Sequence, residues 1–348
     1  MKPLFKCELN YFPSLHLSQI YDGFEKLKKL GIIDLSVKTF TGNANIPILK
    51  VVIDNKYTVI YDTLDGFNWI KGSVQENLQY FKDHMNVDYY FKRSYNKQIL
   101  DYKPNNCKVY PLGLNIGIQP EGKFKKGLIE NSKDFIKNNY IISKFYKKTF
   151  FYSKDFEFFP IPHKNTKILF ITRLWDPNSE TLNHLKTERE LINKNRVRCI
   201  NVCKKEFGKQ FTGGLQKDFF SIKYSNDLIM PSSLTNRESF LKTIREHNIC
   251  ISTSGLHNSI GWKFGEYVAA SRAIISEPLI YKPSGNFENT KNYLTFNNED
   301  ELMNQTHFLL KNKELLSDMM NRNYKYYNDY MRPDKLVLNT LLQIYEND

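Results

Sequence analysis

Apolar positions change their spacing several times along the chain, and the changes mark out alternating strands and helices. Residues 6–12 read as an edge-like strand. Between 18 and 30, Ile20, Phe24, Leu27 and Leu30 share one helical face, and Gly31 follows as a stop. Stretches 32–40, 49–53, 57–62, 87–92 and 108–111 predict strands, and 75–85 predicts a helix. Helices alternating with short strands predict a parallel sheet.

Residues 115–165 lose this regularity, and Phe158-Phe159-Pro160-Ile161-Pro162-His163 reads as a stiff linker. The pattern then restarts. Strands are expected at 166–172, 198–203, 249–253 and 273–276. Helices are expected at 178–195, 240–246, 259–271, 299–310, 313–323 and 335–345. Gly213-Gly214 is placed in a loop. The expected domains are 1–160 and 161–330, with a C-terminal helix in 331–348 crossing back onto the first. Two α/β domains separated by prolines predict a ligand cleft between them.

Composition narrows the class. The 348 residues are 41% hydrophobic and 14% aromatic, which suits globular cores rather than disorder. No apolar run reaches the roughly 18 residues of a membrane span. Met1 to Glu8 lacks the apolar centre of a signal peptide, so a cytoplasmic protein is expected. The cysteines at 7, 107, 199, 203 and 250 are scattered, without zinc-site spacing, and read as buried free thiols. Net charge is +13, and residues 1–165 hold 25 Lys/Arg against 16 Asp/Glu. Basic runs at 123–126 and 144–148 suggest an anionic membrane surface, peripheral and on its inner face, or a phosphate-bearing acceptor. Nucleic acid is disfavoured, because no reading motif accompanies the charge.

The densest chemistry lies in 249–278. A strand enters the loop Ser252-Thr253-Ser254-Gly255, and Asn258, Ser259, Ile260 and Gly261 build the start of a helix carrying Lys263 and Glu266. Backbone N–H groups at a helix start suit a diphosphate, and an acid beside them suits a ribose. Asn258 or Ser259 could instead simply cap that helix. Lys263 stands in its first turn, where the helix dipole opposes a cation unless an anion joins it. Arg173 follows the strand at 166–172, where open α/β sheets bind ligands, and Lys217 is a further candidate phosphate or sugar contact. In the first half, Tyr61-Asp62-Thr63-Leu64-Asp65-Gly66 puts two carboxylates at a strand end, either of which could act as a base or simply shape a turn. His16 occupies the loop before the first helix and is a candidate contact to a transferred group. Phosphate-loop, dinucleotide and nucleophile-elbow motifs are absent, as are metal-spaced His/Asp clusters, so no cofactor or metal is expected.

The order of parts in 166–310 resembles the nucleotide-binding domain of the group-one glycosyltransferases. It has the small-residue loop, the helix with Glu266, Ala269-Ala270-Ser271-Arg272-Ala273-Ile274-Ile275-Ser276, Asn292-Tyr293-Leu294-Thr295-Phe296 and then Asp300-Glu301-Leu302. The resemblance implies the GT-B architecture: α/β, two Rossmann-like domains facing a central cleft. Domain 1–160 would bind the acceptor, a glycan or lipid-linked hydroxyl, and domain 161–330 the nucleotide-diphosphate sugar. Arg173 looks like the family's phosphate-contacting arginine, and Glu266 like its ribose-holding glutamate. Asn258 stands where the family has a first glutamate, and no Lys follows Arg173 before 180, so Lys217 or Lys263 would substitute. The implied activity is sugar transfer in surface-glycan synthesis. The rivals are an epimerase or a nucleic-acid-modifying transferase on the same fold, and a non-catalytic module for an anionic polymer.

Overall fold

The computed structural model describes residues 3–40, 46–124 and 150–347. The chain forms two compact units. The first is Met1–Asp155 with Tyr281–Asn286 and Asn328–Asp348; the second is Phe156–Ile280 with Phe287–Tyr327. The first unit thus ends ahead of the two-proline segment and takes Tyr281–Asn286 out of the expected second domain. Residues just past the boundary are tied into the second unit. Buried Arg272 donates to the Phe159 carbonyl at 2.6 Å, and Ser271 Oγ to the Phe158 carbonyl at 2.7 Å.

In the first unit, β1 (Phe5–Tyr11), β2 (Ile33–Thr39), β3 (Ile48–Ile53), β4 (Tyr57–Asp62), β5 (Tyr89–Lys92) and β6 (Lys108–Pro111) form one sheet in the order β2-β1-β3-β4-β5-β6. The sheet is mixed, not parallel throughout, because β3 runs antiparallel to both neighbours. A tight turn reverses the chain between β3 and β4, with Asp54 and Asn55 both at φ 55°, a left-handed conformation that short polar residues tolerate best. The other five strands run one way, so their carboxyl ends share an edge.

Helix α1 (Ser18–Lys29) buries Ile20, Tyr21, Phe24 and Leu27 on the sheet, while Leu30, expected on that face, lies past the helix and is 65% exposed. Its outer side meets the last helix, Pro333–Tyr345, which belongs to this unit. Gly23 sets that contact: a Cβ there would stand 2.2 Å from the Pro333 carbonyl oxygen and 2.5 Å from Val337. Helix α2 (Val74–His84) starts with a complete capping box between Ser73 and Glu76.

The second unit holds a parallel sheet, β11-β10-β9-β7-β8, built from β7 (Ile168–Thr172), β8 (Phe211–Leu215), β9 (Ile249–Ser252), β10 (Ala273–Ser276) and β11 (Leu294–Thr295). Two expectations fail here. Residues 198–203 are not a strand but part of α3, a 25-residue helix over Asn183–Phe207. Cys199, Ile200, Cys203 and Phe207 recur at helical spacing and all point inward. Gly213 and Gly214 lie in β8, opposite Phe170 and Ile171, rather than in a loop. Glycine is required there, since a Cβ at 213 would meet the Phe211 ring at 2.1 Å and one at 214 the Leu228 carbonyl oxygen at 2.5 Å. Helices α4 (Arg237–Arg245), α5 (Trp262–Ala269), α6 (Glu299–Lys311) and α7 (Lys313–Tyr326) complete the unit. Among the described residues no helix is long and apolar enough to cross a membrane.

Candidate functional site

Parallel strands deliver their loops to one edge, which is where the second unit gathers its polar residues. After β9 the chain turns through Leu256–Asn258, with His257 at φ 57° and Asn258 at φ 54°. Two successive non-glycine residues in the left-handed region are costly, and such strain collects at functional loops. Gly255 N–H closes the loop onto the Ser259 carbonyl at 2.8 Å. Neither Asn258 nor Ser259 caps α5, and the helix does not begin at 259. Both Ser259 and Gly261 stay extended, and Gly261, the N-cap residue, has no side chain to cap the helix. The helix therefore starts without an N-cap side chain, and the Phe264 N–H turns back to the Gly261 carbonyl at 3.1 Å. A Cβ on Gly261 would touch nothing within 4 Å, so this face is open. Ser252, Thr253, Asn258, Ser259, Gly261 and Ser276 border a shallow hollow, which Ile260 also lines.

Charge surrounds the helix start. Glu266 is 1% exposed, and its Oε1 accepts from Arg237 at 2.7 Å. Its Oε2 is buried and has no donor. Half-buried Lys263 lies 3.9 Å above the Phe240 ring. Burial pushes its ammonium down to about 8; Glu266 opposes that shift, and Arg237, Arg196 and Arg173 add to it. Arg173 is exposed, with its guanidinium stacked 3.8 Å over Trp175. The four cations and one acid thus feel one another at a single edge of the sheet. Lys217 is exposed past the end of β8 and is not one of the cations acting on Lys263.

Three residues of this edge escape a reading of the sequence. Arg196, in mid-α3 and 6% exposed, donates to the Arg173 carbonyl at 2.6 Å, to Thr253 Oγ1 at 3.1 Å and to the Ser254 carbonyl at 3.0 Å. It clasps the loops leaving β7 and β9, and burial holds its guanidinium down at about 10. Glu277, just past β10, accepts the Ser254 N–H at 2.6 Å and an Asn195 amide N–H at 2.7 Å. Arg237 is the third residue without an advance signal, since its meaning lies in touching Glu266.

In the first unit the two candidate carboxylates part company. Asp62, at the end of β4, is fully buried and accepts from Leu64 N–H, Trp69 Nε1, Tyr90 Oη and Lys92 Nζ at 2.6–3.2 Å. Burial lowers the Lys92 ammonium, and burial with Asp62 raises the Tyr90 phenol. With every oxygen engaged and no exposed surface, Asp62 holds its loop and is withdrawn as a candidate base. Asp65 is 37% exposed on its side chain and pairs with Arg93 at 2.6 Å. His16 lies on the surface after β1. Burial lowers its imidazole below the usual value, with Asp65 pulling up and Arg93 pushing down, so it is neutral at pH 7. His16, Asp65 and Arg93 therefore gather at the carboxyl edge of the first sheet. Of the basic runs, Lys123 is described, whereas 125–126 and 144–148 lie outside the described residues.

No family model matches the chain, and no curated protein matches its sequence. Solved structures do resemble it. HepE of Anabaena, in complex with UDP, is similar over 99% of this chain and 100% of its own, at 11% identity and a TM-score of 0.48. The C-terminal domain of LpcC, a group 1 family glycosyl transferase of Francisella tularensis, is similar over 52% of this chain and 97% of its own, at 12% identity and a TM-score of 0.36. TarM of S. aureus, in complex with UDP among other ligands, is similar over 85% of this chain and 64% of its own, at 15% identity and a TM-score of 0.34.

Proposed function

We propose that the protein is a glycosyltransferase that moves a sugar from a nucleoside-diphosphate sugar to an acceptor hydroxyl. One observation carries this reading. An uncapped helix start lies among four cations, beside a buried carboxylate whose Oε2 lacks a donor. A diphosphate answers the cations and the helix, and a ribose hydroxyl supplies the missing donor.

In this scheme the phosphates lie against Arg173, Lys263 and the backbone at Gly261, because the Ser259 N–H is already bonded to the Leu256 carbonyl at 3.1 Å. Ile260 and Gly261 leave the approach open, and Asn258 faces the sugar across the hollow. Arg196 and Glu277 fix the loops that carry these groups. The acceptor oxygen forms its bond to the anomeric carbon as the bond from that carbon to the phosphate oxygen breaks. The acceptor proton goes to a general base, for which His16 and Asp65 are the first unit's candidates. The departing diphosphate keeps its charge compensated by side chains already in place. The acceptor class is a glycan or a lipid-linked hydroxyl, and an anionic membrane surface is the partner assigned to the basic first half.

Thermal unfolding with a panel of nucleoside diphosphates tests the reading. At 100 times the dissociation constant, a true ligand adds about 2.7 kcal/mol. Glu266→Ala is expected to lose that increment relative to its own ligand-free state. It should also lose about 1–3 kcal/mol of ligand-free stability, because Arg237 is left without its acid. An increment that survives in Glu266→Ala refutes the ribose assignment, and a panel with no response refutes the donor site.

A further inference from the structure

Arg237 covers Glu266. The arginine side chain is 34% exposed and the glutamate 1%, so solvent meets the guanidinium before the carboxylate. The contact is one-sided, with Oε1 bonded and Oε2 orphaned in a buried place. A guanidinium whose purpose was to neutralise this acid could fork across both oxygens. Arg237 also opens α4, which Asn236 caps through the Ser239 N–H at 3.0 Å. A cation in a helix's first turn is opposed by the dipole. Its guanidinium carbon also lies 4.9 Å from the centre of the Phe156 ring. It lies in the same field as Lys263, Arg196 and Arg173, where an anion is the group most wanted.

We infer that Arg237 is a further diphosphate-binding residue, parked on Glu266 in the empty site and transferred to the ligand's phosphates on binding. The transfer bares both Glu266 oxygens, so that phosphate and ribose recognition become coupled. This rests on the nucleoside-diphosphate reading above and deepens it. The coupling makes a prediction with an unusual sign: weakening the acid should improve the binding of phosphate alone, because Arg237 no longer has a competing partner.

The probes are inorganic pyrophosphate and UDP, titrated calorimetrically into the full chain, its Glu266→Gln variant and its Arg237→Met variant. Glu266→Gln should bind pyrophosphate about tenfold more tightly than the parent. Arg237→Met should bind it about tenfold more weakly while keeping a cooperative thermal transition. If Arg237→Met does not fold, Arg237→Lys takes its place, and an ammonium that cannot fork should still weaken pyrophosphate several-fold. A merely structural clasp predicts the opposite for Glu266→Gln, since loosening α4 leaves pyrophosphate affinity unchanged or lower; either result overturns the inference. If nucleoside diphosphates stabilise the parent chain while Glu266→Gln fails to tighten pyrophosphate, this inference falls alone. If none of them stabilises it, the donor site falls and this inference with it.

Discussion

Lys263→Met should make the ligand-free protein more stable and the liganded protein worse. In the fold the ammonium sits at about 8 against an ordinary 10.5. At 1.36 kcal/mol per unit, holding that charge at pH 7 costs about 3 kcal/mol. The sign follows from proton counting. Between about 8 and 10.5 the unfolded chain keeps the lysine proton and the native chain has released it. Stability of the ligand-free protein therefore rises with pH across that window and is lowest below it. Methionine keeps the packing over Phe240 and removes the charge, so the variant should gain up to about 3 kcal/mol at pH 7, and the gain should fade towards pH 10.5. A diphosphate reverses the balance, since it favours the charged ammonium. Binding above pH 8 should then take up a proton, and affinity should fall as pH rises. The assay is chemical unfolding of parent and variant from pH 7 to 10.5. Calorimetric binding at pH 8.5 in buffers of different ionisation enthalpy completes it. A variant less stable than the parent at pH 7, or proton uptake that persists without Lys263, would refute the reasoning.

Three other outcomes follow from the first unit. Asp62→Asn should cost about 3–5 kcal/mol in urea unfolding, because the buried Lys92 loses its charge partner, with Trp69 and Tyr90 losing an acceptor. Asp65→Asn should cost at most about 1 kcal/mol, since its pair with Arg93 is partly solvated, and should lower sugar transfer sharply if Asp65 takes the proton. Gly23→Ala should cost about 1–3 kcal/mol by overpacking α1 against Pro333 and Val337, with no effect on ligand affinity at a fixed temperature below the transition.

Much of this architecture is legible because its strands are short apolar runs bounded by turn residues. Tyr57–Asp62 and Ala273–Ser276 fall where the pattern puts them. Errors arise where packing against distant residues decides. The stretch at 198–203 looks like a strand in a short window, and only the longer series Cys199, Ile200, Cys203, Phe207 reveals the helix. β8 is hidden because two of its five positions are glycines, chosen for the backbone of Leu228 and the ring of Phe211 rather than for any strand preference. The mixed sheet was readable in principle from Asp54-Asn55, a turn pair between two apolar runs. The site divides the same way. Glu266 and Lys263 are recognisable from a local helix pattern, whereas Arg196 acts on residues 57 and 58 positions away and nothing near it announces that.

The charges that break local rules point towards one another. Lys263 and Arg237 stand in first helical turns, where the dipole disfavours cations. Glu266 is buried with one oxygen unsatisfied, and His257 and Asn258 hold a strained backbone in the loop ahead of its helix. Each alone is a small loss of stability with several ordinary explanations. Together they lie on one sheet edge, and a single ligand carrying two phosphates and a hydroxyl-bearing ring, as proposed, would relieve the electrostatic ones at once. Local choices that conflict with the fold are expected where binding, rather than stability, set the residue. The same reasoning separates the carboxylates of the first unit. Asp62 breaks no rule, being buried and fully bonded, and belongs to the scaffold. Asp65 and His16 keep solvent access and an electrostatic tie to each other, which is what a proton acceptor needs.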